Sequence, residues 1–584
     1  MVATNMSEDR GLPMPVAPDT ASPSSQELDQ IWAQNTVVPE SITGCVHDLI
    51  TEVAQRQPDA LAVCAWDGDF TYAQLSTLSD NVAHYLCDMG DLQRSPVTIL
   101  FPKSRWTCVA MLGIIKAGCA AIALDPTHPD ARLRSIIKHA QPKAMICGAA
   151  TRTRVSRLCD SSILQLDDSM LEIAGTIQHH NLDLPTVSPK DTVYISFTSG
   201  TTGEPKGACI SHTNVRSAVH HQGKALGFYP ESRVFDFAPY SFDVAWSNVL
   251  HTLCAGGCLC VANEQDMVNN LSAAITAFAA SLINVTPTVL RTISPVPPTL
   301  QTVLLSGEMP YRENVTQWAD RVRLLNTYGP TECTWKCTFS QLNRCEEGRP
   351  DIGRGIGFCL WIVNANDSSH LVPPGSAGEL YLEGPMVGQG YLSNQEKTSE
   401  AFIDNPPWLS SGSTGVPGRQ GRLYRTGDLV KTRSDGSILF LGRKDVSQLK
   451  IRGQRIEIGD VEHHARACLN DALTIIADIV LPQGSDTPLL ALFVHTKNQD
   501  PEAVKIMMNN LVRDLDGVLP AFMLPSIYLP VEEIPVAATG KVNRRQLRDI
   551  GVSLSLEQLL QLQSTILPDQ EYRDPSTVRG GAAT

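Results

Sequence analysis

"VTILFPKSRWTCVAMLGIIKAGCAAIAL", Val97 to Leu124, holds two unbroken apolar runs, VTILF and AAIAL, on either side of a longer stretch that ends at Gly118. Five apolar residues without alternation suit a strand whose sheet is covered on both faces. The spacing between them predicts an amphipathic helix closed by glycine. The pattern continues outward. "DPTHPDARLRSIIKHAQ" opens with acid and proline, reads as a second helix, and leads into the apolar "AMICG". Repeated strand–helix–strand units imply a parallel sheet with helices on both faces, and such sheets bind ligands at the carboxyl ends of their strands.

One loop occupies that position. "TVYISF" (Thr192 to Phe197) reads as a strand, "TSGTTGEPKG" (Thr198 to Gly207) as a loop, and the chain from about Thr213 as a helix. Glycines let backbone amides approach an anion, Ser and Thr hydroxyls donate to phosphate oxygens, and a lysine adds a mobile positive charge. A Walker A loop needs its lysine after glycine and before Ser or Thr, whereas Lys206 lies between Pro205 and Gly207. Phosphate chemistry of another kind is expected.

The rest of the chain bounds the answer. At 584 residues, with 42% hydrophobic and 18% charged residues, it exceeds what one core supports and predicts at least two domains. The formal net charge of −14, without basic runs, argues against a nucleic-acid partner. Sixteen scattered cysteines lack the paired spacing of a zinc site and read as buried thiols. The N-terminus has acids and prolines where a signal peptide has an apolar run, and no stretch is long and apolar enough to span a bilayer, so the cytoplasm is the expected location. Residues 1–44, rich in Pro, Ser, Asp and Gln, read as a linker, and "SSGSTGVPGRQG" (Ser410 to Gly421) as a flexible surface insertion. After "GRKD" (Gly442 to Asp445) the texture changes to short strands, "TIIADIVL" and "LLALFVH". One helix follows, with Val504, Met507, Leu511 and Leu515 on one face. Divisions are expected at 1–44, 45–442, 443–550 and 551–584, the last again a tail.

"FTSGTTGEPKG" closely resembles the signature loop of the adenylate-forming superfamily, which includes acyl-CoA synthetases, luciferases and the adenylation domains of nonribosomal peptide synthetases. "NTYGPTE" (Asn326 to Glu332), "GELYLEGPMVGQGY" (Gly378 to Tyr391) and "YRTGDLVK" (Tyr424 to Lys431) resemble further family motifs, in the family's order. So do "GRKDVSQLKIRGQRIEIGDVE" (Gly442 to Glu462), "LPAFMLP" (Leu519 to Pro525) and "TGKVNRRQL" (Thr539 to Leu547). With "FTYAQL" (Phe70 to Leu75) and "KAGCAAIALDPTHPDARL" (Lys116 to Leu133) the resemblance spans about residues 45 to 550. It implies an α/β fold: a large N-terminal domain of parallel and mixed sheets covered by helices, and a small α+β C-terminal domain joined by a hinge at Asp445.

The resemblance implies a reaction and assigns residues to it. The family joins a carboxylate to the α-phosphate of ATP, releases pyrophosphate, and passes the acyl group to a thiol. Thr198, Ser199, Thr201, Thr202 and Lys206 correspond to the family's contacts with the departing phosphates, and Thr331 and Glu332 to its phosphate and Mg2+ contacts. Asp428, helped by Arg443, corresponds to the ribose acceptor. By the same resemblance Tyr328 and the backbone near Gly307 and Glu308 would border the adenine, and Asn326 and Gly329 would be further ATP contacts. Lys541 matches the catalytic lysine that bridges carboxylate and α-phosphate.

"APYSFDVAWSN" (Ala238 to Asn248) points to one branch, because peptide-synthetase adenylation domains hold the substrate ammonium with an aspartate at the position of Asp243. The remaining pocket positions are Val244, Ser247, Asn284, Leu304, Ser306, Thr327, Trp335 and Lys336, closed by Lys541. Lys336 pointing inward would ask for an anionic or accepting side chain; pointing outward, it would leave Trp335 to dominate a wall. A polar amino acid is the expected substrate. The phosphopantetheine thiol of a carrier domain is the expected acceptor, with neighbouring synthetase domains as partners. No carrier serine motif follows Lys541, which suits an excised domain or a free-standing activator. The alternatives are an acyl- or aryl-CoA synthetase and an inactive adenylate-binding scaffold module.

Overall fold

Strand Pro96–Leu100, helix Trp106–Lys116 and strand Ala120–Leu124 form where the opening stretch predicts them, with the strands parallel and Val97 opposite Ala121. This is a computed structural model; it describes residues 22–90, 92–174, 184–198, 204–343, 351–445, 448–451, 454–469, 474–483, 485, 488–496, 500–535 and 542–567. One expectation fails here. Helix Trp106–Lys116 is not amphipathic but buried all round, because helix Tyr72–Asp88 covers it. Gly113 permits the approach, since a Cβ there would lie 2.4 Å from Val82 Cγ1, and Lys116 survives burial by donating to Asp80 at 2.7 Å.

Two helix-covered sheets share the large core. The first has seven strands, running Gly390–Tyr391, Lys206–Ser211, Thr192–Thr198, Ala120–Leu124, Pro96–Leu100, Ala144–Cys147 and Ser162–Gln165. The second has nine, with the parallel strands Cys258–Val261, Arg233–Phe235, Leu282–Val285, Thr302–Leu305 and Arg323–Tyr328 at its centre. An antiparallel sheet built on Arg422–Thr432 adjoins them. The ring edges of His47 and His212 meet at 5.4 Å, and Val46 N–H donates to His212 Nδ1 at 3.1 Å. That bond ties the starts of helices Val46–Arg56 and His212–Leu226 together. Cys45, His47 and His212 are the one group among the described residues with metal-ligating atoms close together, within 4.8 Å. Burial, then His47, holds the His212 pKa down to about 3, so the ring acts as a neutral acceptor.

Beyond Asp445, hairpin Gln448–Ile451/Gln454–Glu457 precedes a smaller sheet of Ile475–Val480, Leu489–His495 and Ile527–Val531. Helix Pro501–Asp516 packs there through Val504, Met508, Leu511 and Leu515; Met508, not Met507, completes the stripe of the four most buried positions. Of the expected tail after residue 550, the described residues 551–567 belong to this body. Helix Leu556–Ile566 places Leu559 in the same core as Ile476 and Phe493, and Gln483 N–H donates to Leu554 C=O at 2.9 Å. The fifteen described cysteines are free thiols, and among the described residues no helix is long and apolar enough to cross a membrane.

The N-terminal "linker" also proves structured where described. Helix Ser25–Gln34, closed by a Ser24/Glu27 capping box, inserts Trp32, 0% exposed, among Trp361, Trp408 and Leu409. The 410–421 insertion supplies Arg419, which lies 5.1 Å from the Trp32 ring and 5.4 Å from the Trp361 ring. Arg419 forks onto Glu383 at 2.7 and 2.9 Å and donates to Asn35 C=O. Trp32 is the fully buried member of the segment, with Leu28, Ile31 and Val38 packed partly buried beside it. Trp32→Ala is expected to cost about 3–5 kcal/mol locally; calorimetry should show an earlier first unfolding transition, and an unchanged one would mean that the strap bears no load.

Candidate active site

The carboxyl ends of the parallel strands carry the expected pocket residues. Asn284 lies near the end of Leu282–Val285, Leu304 near the end of Thr302–Leu305, and Thr327 and Tyr328 close strand Arg323–Tyr328. Helix Asp243–Ala255 faces them, with Asp243 at its first position and Val244 and Ser247 following. Gly329 then lets the chain fold back on itself, since a Cβ there would sit 2.1 Å from Trp335 C=O. Thr334 and Trp335 take positive φ of 48° and 81°, an uncommon backbone state for residues with side chains and one that clusters at functional sites.

Lys336 turns inward. It is 2% exposed and acts electrostatically on Asp243. Asp243 is only partly exposed, and desolvation raises its carboxyl pKa; Lys336 and the Thr331 hydroxyl pull it back, while Glu332 pushes it up. Other donors face the same strand ends. Asn284 is buried, its Oδ1 accepts from Ser306 at 3.2 Å, and its Nδ2 has no partner among the described residues. Trp335 contacts His251 at 4.8 Å and stacks beyond Tyr194, itself stacked on Trp246. Ser247 pairs with His251 Nδ1 at 3.1 Å, and burial holds the His251 pKa down to about 4, leaving it neutral.

A second cluster surrounds Asp428. Hairpin register sets Arg443 opposite it, and Arg443 Nη1 donates to Asp428 Oδ1 at 2.7 Å. Tyr328 donates to Asp428 Oδ2 at 2.5 Å; burial, then Asp428, raises the phenol's pKa, so it stays a donor. Asn326 donates to Asp351 C=O at 2.6 Å and braces the strand beneath. Gly307 has φ +85°, while Glu308 Oε2 accepts from Thr288 N–H at 3.0 Å and Thr288 Oγ at 2.6 Å.

The phosphate-loop residues divide. Ser199, Thr201, Thr202 and Lys541 lie outside the described residues. Thr198 and Lys206 are paired across an antiparallel hairpin, Thr192–Thr198 against Lys206–Ser211, so Lys206 stands on a strand and helix His212–Leu226 begins only afterwards. Lys206 lies 6.0 Å from the Tyr391 ring and 3.6 Å from Glu457. Tyr391 OH donates to Glu332 Oε1 at 2.7 Å, and Glu332 is 1% exposed. Tyr391 and Glu457 belong to the quoted motifs, yet nothing in those motifs gave either a role. The buried Glu332 carboxylate and the Thr331 hydroxyl form a hard oxygen donor set suited to Mg2+, which keeps phosphate and water ligands besides. Asp445 is exposed, two residues beyond strand Ile438–Arg443.

Comparisons with known proteins agree with this layout. The AMP-binding enzyme family's sequence profile matches residues 50–392. A nonribosomal peptide synthetase, ungA', of Aspergillus campestris is 42% identical over 550 residues, covering 93% of this chain but 6% of the relative. The chain therefore spans a small part of that relative's length. An adenylation domain from Vibrio cholerae, AlmE, solved with glycyl-adenosine-5'-phosphate, superposes with a TM-score of 0.69 at 21% identity, covering 88% of this chain and 99% of that one. An artificially fused adenylation–PCP di-domain from Klebsiella oxytoca, NpsA-ThdA, gives 0.70 at 22% identity over 83% and 93% of the two chains.

Proposed function

The chain belongs to the AMP-binding enzyme family, and on that premise we propose that it activates an amino acid as its adenylate for nonribosomal peptide synthesis. A carboxylate oxygen of the substrate attacks the α-phosphorus of ATP, the bond to the bridging oxygen breaks, and pyrophosphate leaves. A phosphopantetheine sulfur then attacks the acyl carbon, the carbon–oxygen bond to AMP breaks, and the thiol proton is lost to solvent or base. The observation that carries the reading is Asp243, an aspartate at a helix start whose electrostatic neighbours are Lys336, Thr331 and Glu332. A carboxylate in that setting suits an α-ammonium, and a fatty or aryl acid offers none.

The other residues divide the work. Lys206, Thr198 and the loop hydroxyls hold the leaving phosphates, and positioning with fixed charge supplies most of the catalysis. Glu332, with the Thr331 hydroxyl, would hold Mg2+, which would supply charge neutralisation at the phosphates. Asp428, oriented by Arg443 and Tyr328, accepts from the ribose hydroxyls. Asp445 is the hinge, and Lys541 serves the first half-reaction only.

The amino acid is one with an accepting side chain, a carboxylate or carboxamide. Support comes from the buried Lys336 ammonium and from the buried Asn284, whose Nδ2 has no partner among the described residues. Amino-acid-dependent pyrophosphate exchange across common and nonstandard amino acids tests both statements: silence across the panel rejects adenylation, and a response confined to aliphatic residues rejects the polar pocket. Lys336→Met is expected to shift relative exchange at least about tenfold toward aliphatic substrates, since one lost charge-assisted hydrogen bond is worth about 1.5–3 kcal/mol.

A further inference from the structure

Helix His212–Leu226 reaches the loop that carries Trp335 and Lys336 through one side chain. Gln222, 0% exposed, donates from Nε2 to Thr334 C=O at 3.0 Å and to Lys336 C=O at 2.7 Å, with Met386 Sδ 3.2 Å away. Both oxygen partners are carbonyls, so the nitrogen of the amide and not its oxygen must face them. Gln222 Oε1 is buried without a partner among the described residues. An unpaired buried acceptor is costly, and a methionine would fill similar space without one. What glutamine adds is the pair of donors.

Those carbonyls belong to the residues on either side of Trp335. Thr334 and Trp335 have φ of 48° and 81°, and such backbone persists only where its surroundings over-determine it. Thr334, being β-branched, is the more strained of the two. Thr334 Oγ1 donates to Met386 C=O at 2.8 Å and Cys337 N–H to Tyr328 C=O at 2.7 Å, so the loop is pinned before and after the bend. Gln222 holds the bend itself, including the carbonyl of Lys336. About two turns earlier on the same helix, Asn214 donates to Pro385 C=O at 2.8 Å and Val387 C=O at 3.0 Å, which fixes the helix from which Gln222 reaches. We propose that Gln222 is a positioning residue that sets amino-acid preference: by holding the strained bend it keeps Lys336 turned inward, toward the accepting side chain of the substrate. It acts through Lys336, and the inference rests on the polar-substrate reading above.

Pyrophosphate exchange on the full chain tests it, read as kcat/KM for the best of aspartate, asparagine, glutamate and glutamine relative to kcat/KM for leucine. Gln222→Met should lower that ratio about fivefold or more, mainly through KM, with ATP affinity changed by less than about twofold. In a Lys336→Met background the same substitution should move the ratio by less than about twofold, because the group it positions is gone. Should Gln222→Met fail to fold, Gln222→Asn, which keeps the amide on a shorter stem, carries the same two comparisons. A Gln222 that only satisfies buried carbonyls would lower thermal stability and slow every substrate alike. An unchanged ratio, or an equal further drop in the Lys336→Met background, overturns the proposal. Wild type that is silent across the panel removes the adenylation reading, and wild type that activates only aliphatic residues removes the polar-substrate reading; either takes this inference with it before any variant is compared.

Discussion

Lys541→Ala is expected to lower amino-acid-dependent pyrophosphate exchange about 10²- to 10³-fold while changing ATP affinity by less than about threefold. The reaction gathers negative charge where a carboxylate oxygen meets the α-phosphate, and a cation placed there acts on the transition state more than on the bound nucleotide. In the proposed reaction the ground-state grip on ATP falls to other residues, Lys206 on its hairpin and Asp428, which Arg443 and Tyr328 hold between them. Asn543 N–H donates to Pro535 C=O at 2.7 Å, and its side chain caps helix Arg544–Val552. Transfer from preformed aminoacyl-adenylate to pantetheine should survive the substitution, because no charge then accumulates at phosphorus. Near-normal exchange in the variant would strip Lys541 of its role, and equal loss in both half-reactions would point to misfolding.

The motifs made the strand ends and the Asp428–Arg443 pair legible, because those residues are local to turns and hairpins. Asp428 and Arg443 are fifteen positions apart and meet through simple strand pairing. Contacts made at long range were not legible. Lys336 read equally well as inward or outward, since its burial depends on Asp243 from a helix 93 positions earlier. Glu457 and Lys206 are farther apart still, and nothing in either motif announces the other. The amphipathic reading of Trp106–Lys116 failed because periodicity reports the partner on one face and is blind to a second helix on the other. Trp32 shows the converse, a polar segment docked through one large ring.

Asp243→Ala is expected to reduce kcat/KM for the amino acid at least about 100-fold, with ATP binding retained, since truncating one partner of a desolvated charge pair costs about 3–5 kcal/mol. The loss should fall mainly on KM if the carboxylate holds the α-ammonium equally in ground and transition states. Removing it also strands the buried Lys336, so Asp243→Ala/Lys336→Met separates the two effects: the double variant should recover thermal stability but not amino-acid affinity. Acidity offers an independent reading. Burial raises the Asp243 pKa, and the protonated carboxyl cannot pair with an ammonium, so wild-type affinity should weaken as pH falls, a dependence that Asp243→Asn should lack. An enzyme that activates an acid without an ammonium would keep its activity in Asp243→Ala, and that outcome would move the protein out of the amino-acid branch whatever its ATP site does.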